Sequence, residues 1–291
     1  MRFHSTRGGA LVALEDAVMA GTAPDGGLYV PDELPVYQRS DFTEQLPIDQ
    51  FAAQLLAPFF VGSMLERDLE VICTDTLNFP APLRSLGSLE APLSLLELFH
   101  GPTAAFKDFG ARFLAATMSK IIEHRGESQP ATVIVATSGD TGAAVAAAFH
   151  RRPGTRVVIL FPDGRVSPRQ QHQLTCWGEN IISLSVKGEF DDCQRLAKAM
   201  FADQALTQHL NLCSANSINV GRLLPQSVYY AKTSSDYAHT HDGDRDSNSH
   251  YIVPTGNLGN AFACAWAKHM GFPIGELILA TNANRTIPDY L

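Results

Sequence analysis

Alternation of short apolar runs with helical segments, between residues 132 and 201, constrains the fold of this chain more than any other feature. Apolar runs of strand length cover residues 132–136, 157–161 and 181–186. Strands that are buried on both faces of a parallel sheet have this uninterrupted apolar and β-branched character. A helical pattern follows each run, and strands that alternate with helices indicate βαβ units with right-handed crossovers. The sequence therefore predicts an α/β fold.

The segments on either side extend this prediction. Helical patterns within the first 77 residues indicate an amino-terminal helical extension. Strand-like runs return at 251–255 and 276–280, with a helical stretch at 261–269 between them, so we expect two open parallel-sheet α/β domains. Residues 233–250 are rich in Ser, Asp, Asn, His and Gly. We predict a solvated loop there, with no assigned role, rather than a metal site.

Composition narrows the possible classes of function. The formal net charge of −8 over 291 residues argues against general nucleic-acid or membrane-surface binders, which carry basic patches. The five cysteines contain no Cys-x-x-Cys pair, so neither a disulfide framework nor a zinc ribbon is expected. No apolar run approaches the ~18 residues of a membrane span, and the first residues lack a signal-peptide core. We expect a cytoplasmic protein that acts on a small molecule without a metal, and we predict no oligomeric state.

One lysine has unusual neighbours. In the stretch His100-Gly-Pro-Thr-Ala-Ala-Phe-Lys-Asp-Phe-Gly110, Lys107 lies at or just before the start of a predicted helix and close in sequence to Phe106, Phe109 and Phe113. An ammonium among aromatic rings loses hydration, which favours the neutral amine and makes the lysine a candidate nucleophile. The alternative is a solvated ammonium whose stem covers apolar surface.

Two predicted strand-to-helix junctions carry small polar loops, Thr137-Ser-Gly-Asp-Thr-Gly142 and Gly256-Asn-Leu-Gly-Asn260. Ligands of open α/β sheets bind at such carboxyl ends of strands. In the second loop the glycines allow a phosphate to approach backbone N–H groups and a helix N-terminus, although neither the Walker nor the dinucleotide spacing is present. In the first loop Ser138 and Thr141 can bind a carboxylate, and Asp140 supplies an acceptor. A structural turn and a helix cap are the alternatives.

A third polar cluster is Ser214-Ala-Asn-Ser-Ile-Asn-Val-Gly-Arg222. Its arginine can bind oxyanions through a fork of donors, whereas the alternative is a loop that satisfies its own backbone. Pyridoxal phosphate fits the three features together, namely a desolvated lysine, a glycine-bearing loop for a phosphate, and polar loops for a carboxylate. In such enzymes the cofactor supplies the electron sink and the protein supplies binding and orientation.

On these motifs the chain resembles the threonine synthases, pyridoxal-phosphate enzymes of the tryptophan-synthase β-type fold, also called fold-type II. The matching stretches follow the family's order and are residues 5–8, 23–31, 100–109, 137–142, 190–194, 216–219 with 221–222, 256–260 and 280–284. The resemblance implies three regions. They are an amino-terminal threonine-synthase region (1–85), a cofactor domain (86–115 with 216–291, incomplete at its carboxyl end) and a smaller α/β domain (116–215).

The resemblance also implies roles for single residues. Lys107 is similar to the catalytic, cofactor-bearing lysine, and Asp140 to the residue near the cofactor's 3-hydroxyl. The implied phosphate loop consists of Gly256, Asn257, Leu258, Gly259 and Asn260. The implied substrate-binding residues are Ser138 and Thr141 for the carboxylate and Asn216, Ser217, Asn219 and Arg222 on the substrate side.

The activity that the resemblance implies is that of a pyridoxal-phosphate-dependent lyase, which converts O-phospho-L-homoserine and water to L-threonine and phosphate. Threonine synthases continue well beyond the point where residue 291 lies, and their further part supplies a hydroxyl that faces the pyridine nitrogen, so we expect a truncated chain. Three alternatives remain open. One is another fold-type II lyase, such as a serine or threonine dehydratase; another is a non-catalytic remnant that binds a ligand or partner; the third is an α/β domain that binds some other anion.

Overall fold

A computed structural model describes residues 1–42, 45–87, 93–240, 248–283 and 286–290. Its strands are β1 (Phe3–Ser5), β2 (Tyr29–Pro31), β3 (Leu83–Ser85), β4 (Ser94–Leu96), β5 (Ala131–Ala136), β6 (Thr155–Pro162), β7 (Ile181–Val186), β8 (Leu212–Ser214), β9 (Ser249–Pro254) and β10 (Ile274–Ala280). Its helices are α1 (Leu14–Ala20), α2 (Ile48–Phe60), α3 (Leu69–Thr76), α4 (Lys107–Arg125), α5 (Asp140–Phe149), α6 (Pro168–Thr175), α7 (Phe190–Ala202), α8 (Gln204–Leu210), α9 (Val220–Thr240), α10 (Gly259–His269) and α11 (Thr286–Tyr290).

The larger sheet has the strand order β7-β6-β5-β8, and all of its pairs are parallel. Strand β5 lies between β6 and β8, and five of its six residues are buried. That burial explains its uninterrupted apolar sequence. The carboxyl end of β5 leads directly into the loop that precedes α5, so this central strand positions one of the predicted polar loops at the edge of the sheet.

A second parallel sheet contains β9 and β10, with α10 between them in the chain. The two parallel sheets with their helices confirm the predicted α/β fold. Helix α4 crosses the predicted boundary at residues 115 and 116 without interruption. The proposed division into three regions would therefore join the cofactor domain to the smaller domain through a helix.

The amino-terminal region combines α1, α2 and α3 with an antiparallel β1–β2 ribbon. The Asp25 carboxylate accepts a hydrogen bond from the Gly27 amide at 2.8 Å and one from the Ser5 hydroxyl at 2.8 Å. These two bonds hold the pKa of Asp25 below its usual value. The Pro-Asp-Gly-Gly turn therefore fastens the second strand of the ribbon to the first.

The prediction of a solvated loop over residues 233–250 is wrong for its first half. Helix α9 continues to Thr240, and Thr233 and Ser234 are buried within it. The Thr233 hydroxyl donates to the Tyr229 carbonyl at 2.6 Å, and the Ser234 hydroxyl donates to the Ala231 carbonyl at 3.1 Å. Small hydroxyl side chains can satisfy themselves on their own helix, so a polar composition did not require solvent. The rest of the segment begins β9 from Ser249, and residues 241–247 lie outside the described ranges.

Among the described residues, no helix combines the length and the apolar character that a membrane crossing requires.

Candidate active site

A cleft of about 530 Å³ lies where the carboxyl ends of β5 and β9 meet the amino-terminal ends of α4, α5, α9 and α10. It brings together residues that are far apart in sequence, as the carboxyl edges of parallel sheets do. All of the predicted site residues line it except Asn216 and Asn219. Those lining it are Lys107, Ser138, Asp140, Thr141, Ser217, Arg222, Gly256, Asn257, Leu258, Gly259 and Asn260.

Lys107 is the first residue of α4, as predicted, and its side chain is 22% exposed. Its Nζ lies 3.4 Å from Oδ2 of Asp140 and 4.8 Å from the centre of the Phe106 ring. The other two phenylalanines belong to the core, where Phe109 packs on Phe79 and Tyr229 and Phe113 packs on Phe60. Over the described ranges the Lys107 nitrogen therefore has one aromatic neighbour and one carboxylate, rather than the aromatic enclosure that the sequence suggested.

The loop before Lys107 is held by the fully buried Asp108. Its carboxylate accepts hydrogen bonds from the Thr103 amide at 2.8 Å and the Thr103 hydroxyl at 2.7 Å. Burial raises the pKa of Asp108, while the bonds from Thr103 oppose that change. A Cβ on Gly101 would lie only 2.5 Å from Oδ2 of Asp108, so the loop passes the carboxylate at a distance that suits glycine. These contacts fix the start of α4 and hence the position of Lys107.

The loop between β5 and α5 is organised by the Thr137 hydroxyl. Its Oγ1 accepts from the amides of Gly139 at 3.0 Å and Gly142 at 2.9 Å. Gly139 has φ of +150°, and a Cβ there would lie 2.5 Å from Nε2 of Gln170. Glycine is therefore required both by the backbone and by the close approach of this side chain. Ser138 is left exposed at the rim of the cleft.

Gln170 is a cleft residue that the sequence prediction missed. Its Nε2 donates to Oδ1 of Asp140 at 3.1 Å, and its Oε1 accepts from the Ser167 hydroxyl at 3.0 Å. Ser167 and Gln170 form the capping box of α6, a pattern that was visible in the sequence. Burial by itself raises the pKa of Asp140, but the bond from Gln170 and the ammonium of Lys107 outweigh it and leave the pKa lowered. Asp140 is therefore held as an anion beside the lysine.

The loop between β9 and α10 presents its backbone. Leu258 has φ of +59° and precedes the first residue of the helix. Within the described part of the chain, the amides of Leu258 and Asn260 have no backbone acceptor, and a Cβ on Gly256 would meet no atom within 4 Å. Backbone N–H groups at a helix start attract anions. This end of the cleft can thus receive an anionic group without a cationic side chain.

Two tyrosines of α9 fix the side chain of Asn260 through hydrogen bonds. Its Oδ1 accepts from the Tyr230 hydroxyl at 3.0 Å and also from the Tyr229 hydroxyl. Burial raises the pKa of both tyrosines, so both phenols stay protonated and remain donors. The carboxamide of Asn260 is thereby oriented with its oxygen toward the core.

The α9 wall of the cleft contains Arg222 and Gln226, which are 1% and 2% exposed. Nη1 of Arg222 donates to the Ala215 carbonyl at 2.9 Å, while its Nε has no partner among the described residues. Burial lowers the pKa of Arg222 to about 10, with Asp108 acting against that shift, so the guanidinium stays charged at neutral pH. Sequence reasoning missed Gln226, although its spacing of four from Arg222 places both on one helix face.

The remaining predicted residues lie elsewhere. Asn216 lines an adjoining cavity of about 940 Å³, which shares Ser138, Thr141, Ser217 and Asn257 with the cleft. Asn219 is fully buried and lines neither cavity. Its side-chain amide donates to the carbonyls of Val18 and Ser214, and its oxygen accepts from the Gly221 amide.

Over the described ranges, no group of three or more His, Cys, Asp or Glu side chains is arranged to hold a metal ion. His241, which the sequence places in the polar segment, lies outside the described residues.

Comparison with known proteins gives two family matches. Residues 75–291 match the family of pyridoxal-phosphate dependent enzymes, and residues 2–77 match the threonine synthase N terminus. The threonine synthase of Escherichia coli is 39% identical over 284 residues, which are 96% of this chain and 63% of that protein.

Solved structures of threonine synthases are similar throughout the chain. The pyridoxal-phosphate-bound enzyme from Brucella melitensis is 41% identical with a TM-score of 0.87, and the match covers 98% of this chain and 61% of that one. The yeast enzyme is 32% identical with a TM-score of 0.89, and the match covers 99% and 60%. The chain thus spans somewhat less than two thirds of the length of these relatives.

Proposed function

Because this chain belongs to the family of pyridoxal-phosphate-dependent enzymes, we propose that it carries out the threonine synthase reaction. It would convert O-phospho-L-homoserine and water to L-threonine and phosphate as a lyase of fold-type II. The observation that carries the proposal is the cleft itself. It places a lysine amine and the open amides of a helix start within one space, next to a buried guanidinium.

The residues of this cleft fit pyridoxal phosphate. The backbone at Gly256 leaves open space where a Cβ would stand, and the amides of Leu258 and Asn260 are free of backbone acceptors in the described chain. Both features suit a phosphate. Lys107 would bear the cofactor covalently, and Asp140 would lie near its 3-hydroxyl. When bound, the cofactor supplies an electron sink for a carbanion at the substrate.

The chain's own groups account for proton handling and orientation. The Lys107 amine would take the proton from the substrate Cα as a general base. The Asp140 carboxylate lies 3.4 Å from the Lys107 nitrogen and accepts a hydrogen bond from it. Gln170 holds the Asp140 carboxylate from the other side, and it therefore positions the acceptor without touching the lysine.

Substrate binding is assigned to the other polar residues of the cleft and to the adjoining cavity. Ser138 and Thr141 would receive the substrate carboxylate, and Ser217 and Arg222 the phosphorylated side, with Asn216 in the neighbouring cavity. All polar groups of Asn219 are used in hydrogen bonds that tie α1 and the Ser214 loop to α9. Asn219 therefore supports this proposal as a positioning residue rather than as a contact to substrate.

We place this activity in the cytoplasm, since the five cysteines are all free and four of them are buried. Reduced cysteines are expected there. The three regions predicted from the sequence remain our proposal for the domain organisation, with the β9–β10 sheet in the cofactor domain and the four-stranded sheet in the smaller one.

The wild-type chain tests the proposal in two steps. We expect uptake of pyridoxal phosphate, seen as the visible absorbance of the lysine-bound cofactor, followed by release of inorganic phosphate and formation of L-threonine from O-phosphohomoserine. Cofactor uptake together with deamination of serine or threonine, but no phosphate release, would favour the dehydratase alternative. No uptake would support a non-catalytic chain.

Lys107→Ala separates chemistry from folding. We expect the cofactor absorbance to disappear and turnover to fall by at least roughly 10²–10⁴-fold, the contribution typical of a positioned general base. Lys120→Ala is the matched control, because Lys120 lies on the same helix and pairs with Asp68 and Glu123 outside the cleft. Threonine formation retained by the purified Lys107 variant would contradict the assignment.

A further inference from the structure

Gln226 has a polar atom that the described part of the chain leaves unsatisfied. The side chain is 2% exposed and lines the cleft. Its Nε2 donates to the Arg222 carbonyl at 2.8 Å, whereas its Oε1 has no hydrogen-bond partner within the described ranges. A buried acceptor without a donor destabilises the folded state, and an apolar side chain of the same shape would avoid that cost. The described residues therefore leave this oxygen open to a donor from a molecule bound in the cleft.

The orientation of the amide follows from its one partner. The neighbouring group is a carbonyl oxygen, which can only accept. Turning the amide would set two acceptors against each other and leave the NH₂ group without its partner. The unsatisfied atom is thus an acceptor, and its partner must carry an N–H or O–H group.

Arg222 provides the complementary group one helical turn earlier. Its Nε is also buried without a partner in the described chain. Residues four apart on a helix are neighbours on one face, with Cβ atoms about 5–6 Å apart. The wall of α9 therefore presents a cationic donor and a neutral acceptor side by side. A small molecule that has an anionic group close to an N–H or O–H donor satisfies both.

We propose that Gln226 is a ligand-binding residue of the cleft, whose Oε1 accepts a hydrogen bond from an amino acid bound there. Arg222 takes an anionic group of the same molecule, namely the phosphate when the amino acid is phosphorylated, so L-threonine tests the Gln226 contact alone. An amino acid has the required pairing, because its ammonium or hydroxyl donates and its carboxylate or phosphate accepts. The inference rests on the proposed function, since it requires the cofactor-loaded cleft to admit an amino acid.

Gln226→Met tests the role, because methionine keeps the shape and removes the strong acceptor. Gln171→Met is the matched control, since Gln171 is exposed on α6 and lies outside the cleft. Three quantities are measured for each protein. They are the unfolding temperature without cofactor, the Kd for pyridoxal phosphate, and the Kd of the cofactor-loaded protein for L-threonine, read from the cofactor absorbance.

For Gln226→Met we expect an unfolding temperature equal to or above that of the wild type, an unchanged Kd for pyridoxal phosphate, and a Kd for L-threonine about tenfold weaker. A weaker Kd for pyridoxal phosphate with unchanged L-threonine binding would mean that the cofactor, and not the amino acid, donates the hydrogen bond to Gln226. That result would overturn the proposed contact with the amino acid. Unchanged values of both Kd would also overturn the proposal. So would a clearly lower unfolding temperature, because it would assign the amide a structural role through the Arg222 carbonyl.

Failure of the proposed function gives a different result. Wild-type protein that takes up no pyridoxal phosphate sinks the proposed function and this inference together. Wild-type protein that takes up the cofactor and binds L-threonine no better than Gln226→Met sinks the inference alone.

Discussion

The two strand-to-helix junctions of the cleft share the same order of parts and use their backbones in opposite ways. In the loop after β5, the Thr137 hydroxyl occupies the amides of Gly139 and Gly142. In the loop after β9, the amides of Leu258 and Asn260 have no backbone acceptor in the described chain. The first junction is a rigid support that presents side chains, and the second presents its main chain. The same kind of loop can therefore bind a ligand through either set of groups.

Thr137→Val tests the internal support of the first junction, and we expect the largest effect here. The change keeps the shape but leaves two buried amides without their acceptor, which costs roughly 2–6 kcal/mol at ~1–3 kcal/mol for each unsatisfied group. Urea unfolding measures the loss. Thr175→Val is the control, because its exposed hydroxyl donates only to a carbonyl of its own helix. An unchanged unfolding free energy would mean that Thr137 does not hold the loop.

Gly142→Ala should damage the first junction through packing. The added Cβ would lie 2.4 Å from Cγ2 of Thr137 and 2.6 Å from Cδ2 of Leu174. Overpacking of this kind costs about 1–3 kcal/mol, measured as a lower urea midpoint. Gly178→Ala serves as control, since a Cβ there meets nothing within 4 Å. Equal unfolding free energies of the two variants would show that the loop after β5 adjusts to the added methyl group. The loop after β5 would then be no more rigid than the loop after β9.

Gly256→Ala makes the same substitution in the second junction and should have the opposite outcome. Among the described residues no atom lies within 4 Å of the new Cβ, so the unfolding free energy should stay near that of the wild type. We expect the Kd for pyridoxal phosphate to weaken about tenfold, which equals ~1.4 kcal/mol, because the methyl group occupies the approach to the open amides. A spectroscopic titration gives the Kd. Binding as tight as in the wild type would place the phosphate elsewhere.

Among these variants Asp140→Asn should have the smallest effect, a change in the free energy of unfolding whose size should depend on pH. The folded-state pKa of Asp140 is lowered, so its anion stabilises the fold above the unfolded value of about 4. That stabilisation is lost as pH falls through the folded-state pKa. The side chain is 53% exposed, and such ion pairs contribute below about 1 kcal/mol.

Unfolding free energies at pH 6 and pH 3 measure this effect. The difference between wild type and Asp140→Asn should shrink at the lower pH. Asp191→Asn, on the exposed side of α7, is the control. A difference that stays constant with pH would show that the charge of Asp140 does not contribute to the free energy of unfolding.

Patterns within short stretches of sequence predicted those helices and strands whose burial or capping is visible in consecutive residues. The strand over residues 181–186 matches β7, and the start of α4 at Lys107 matches the prediction. An apolar run or a helix-start motif is written in consecutive residues, so it can be recognised without knowing what it packs against.

Contacts between distant segments were beyond the same reasoning. Gln170 meets Asp140 from 30 residues away, and the short strand β8 exists because it pairs with β5. The core positions of Phe109 and Phe113 likewise depend on partners from other helices. Sequence placed the lysine correctly and its surroundings incorrectly, because the neighbours of a side chain are set by tertiary packing.

Helix α9 links the two ends of the cleft. Arg222, Gln226, Tyr229 and Tyr230 follow one another at helical spacing, so one face of the helix both lines the cleft and orients Asn260. A small rotation of α9 about its axis would displace all of these contacts together. Substitutions along this face should therefore be strongly epistatic. An altered substrate preference would have to evolve through coordinated changes in the helix rather than through independent changes in the loops.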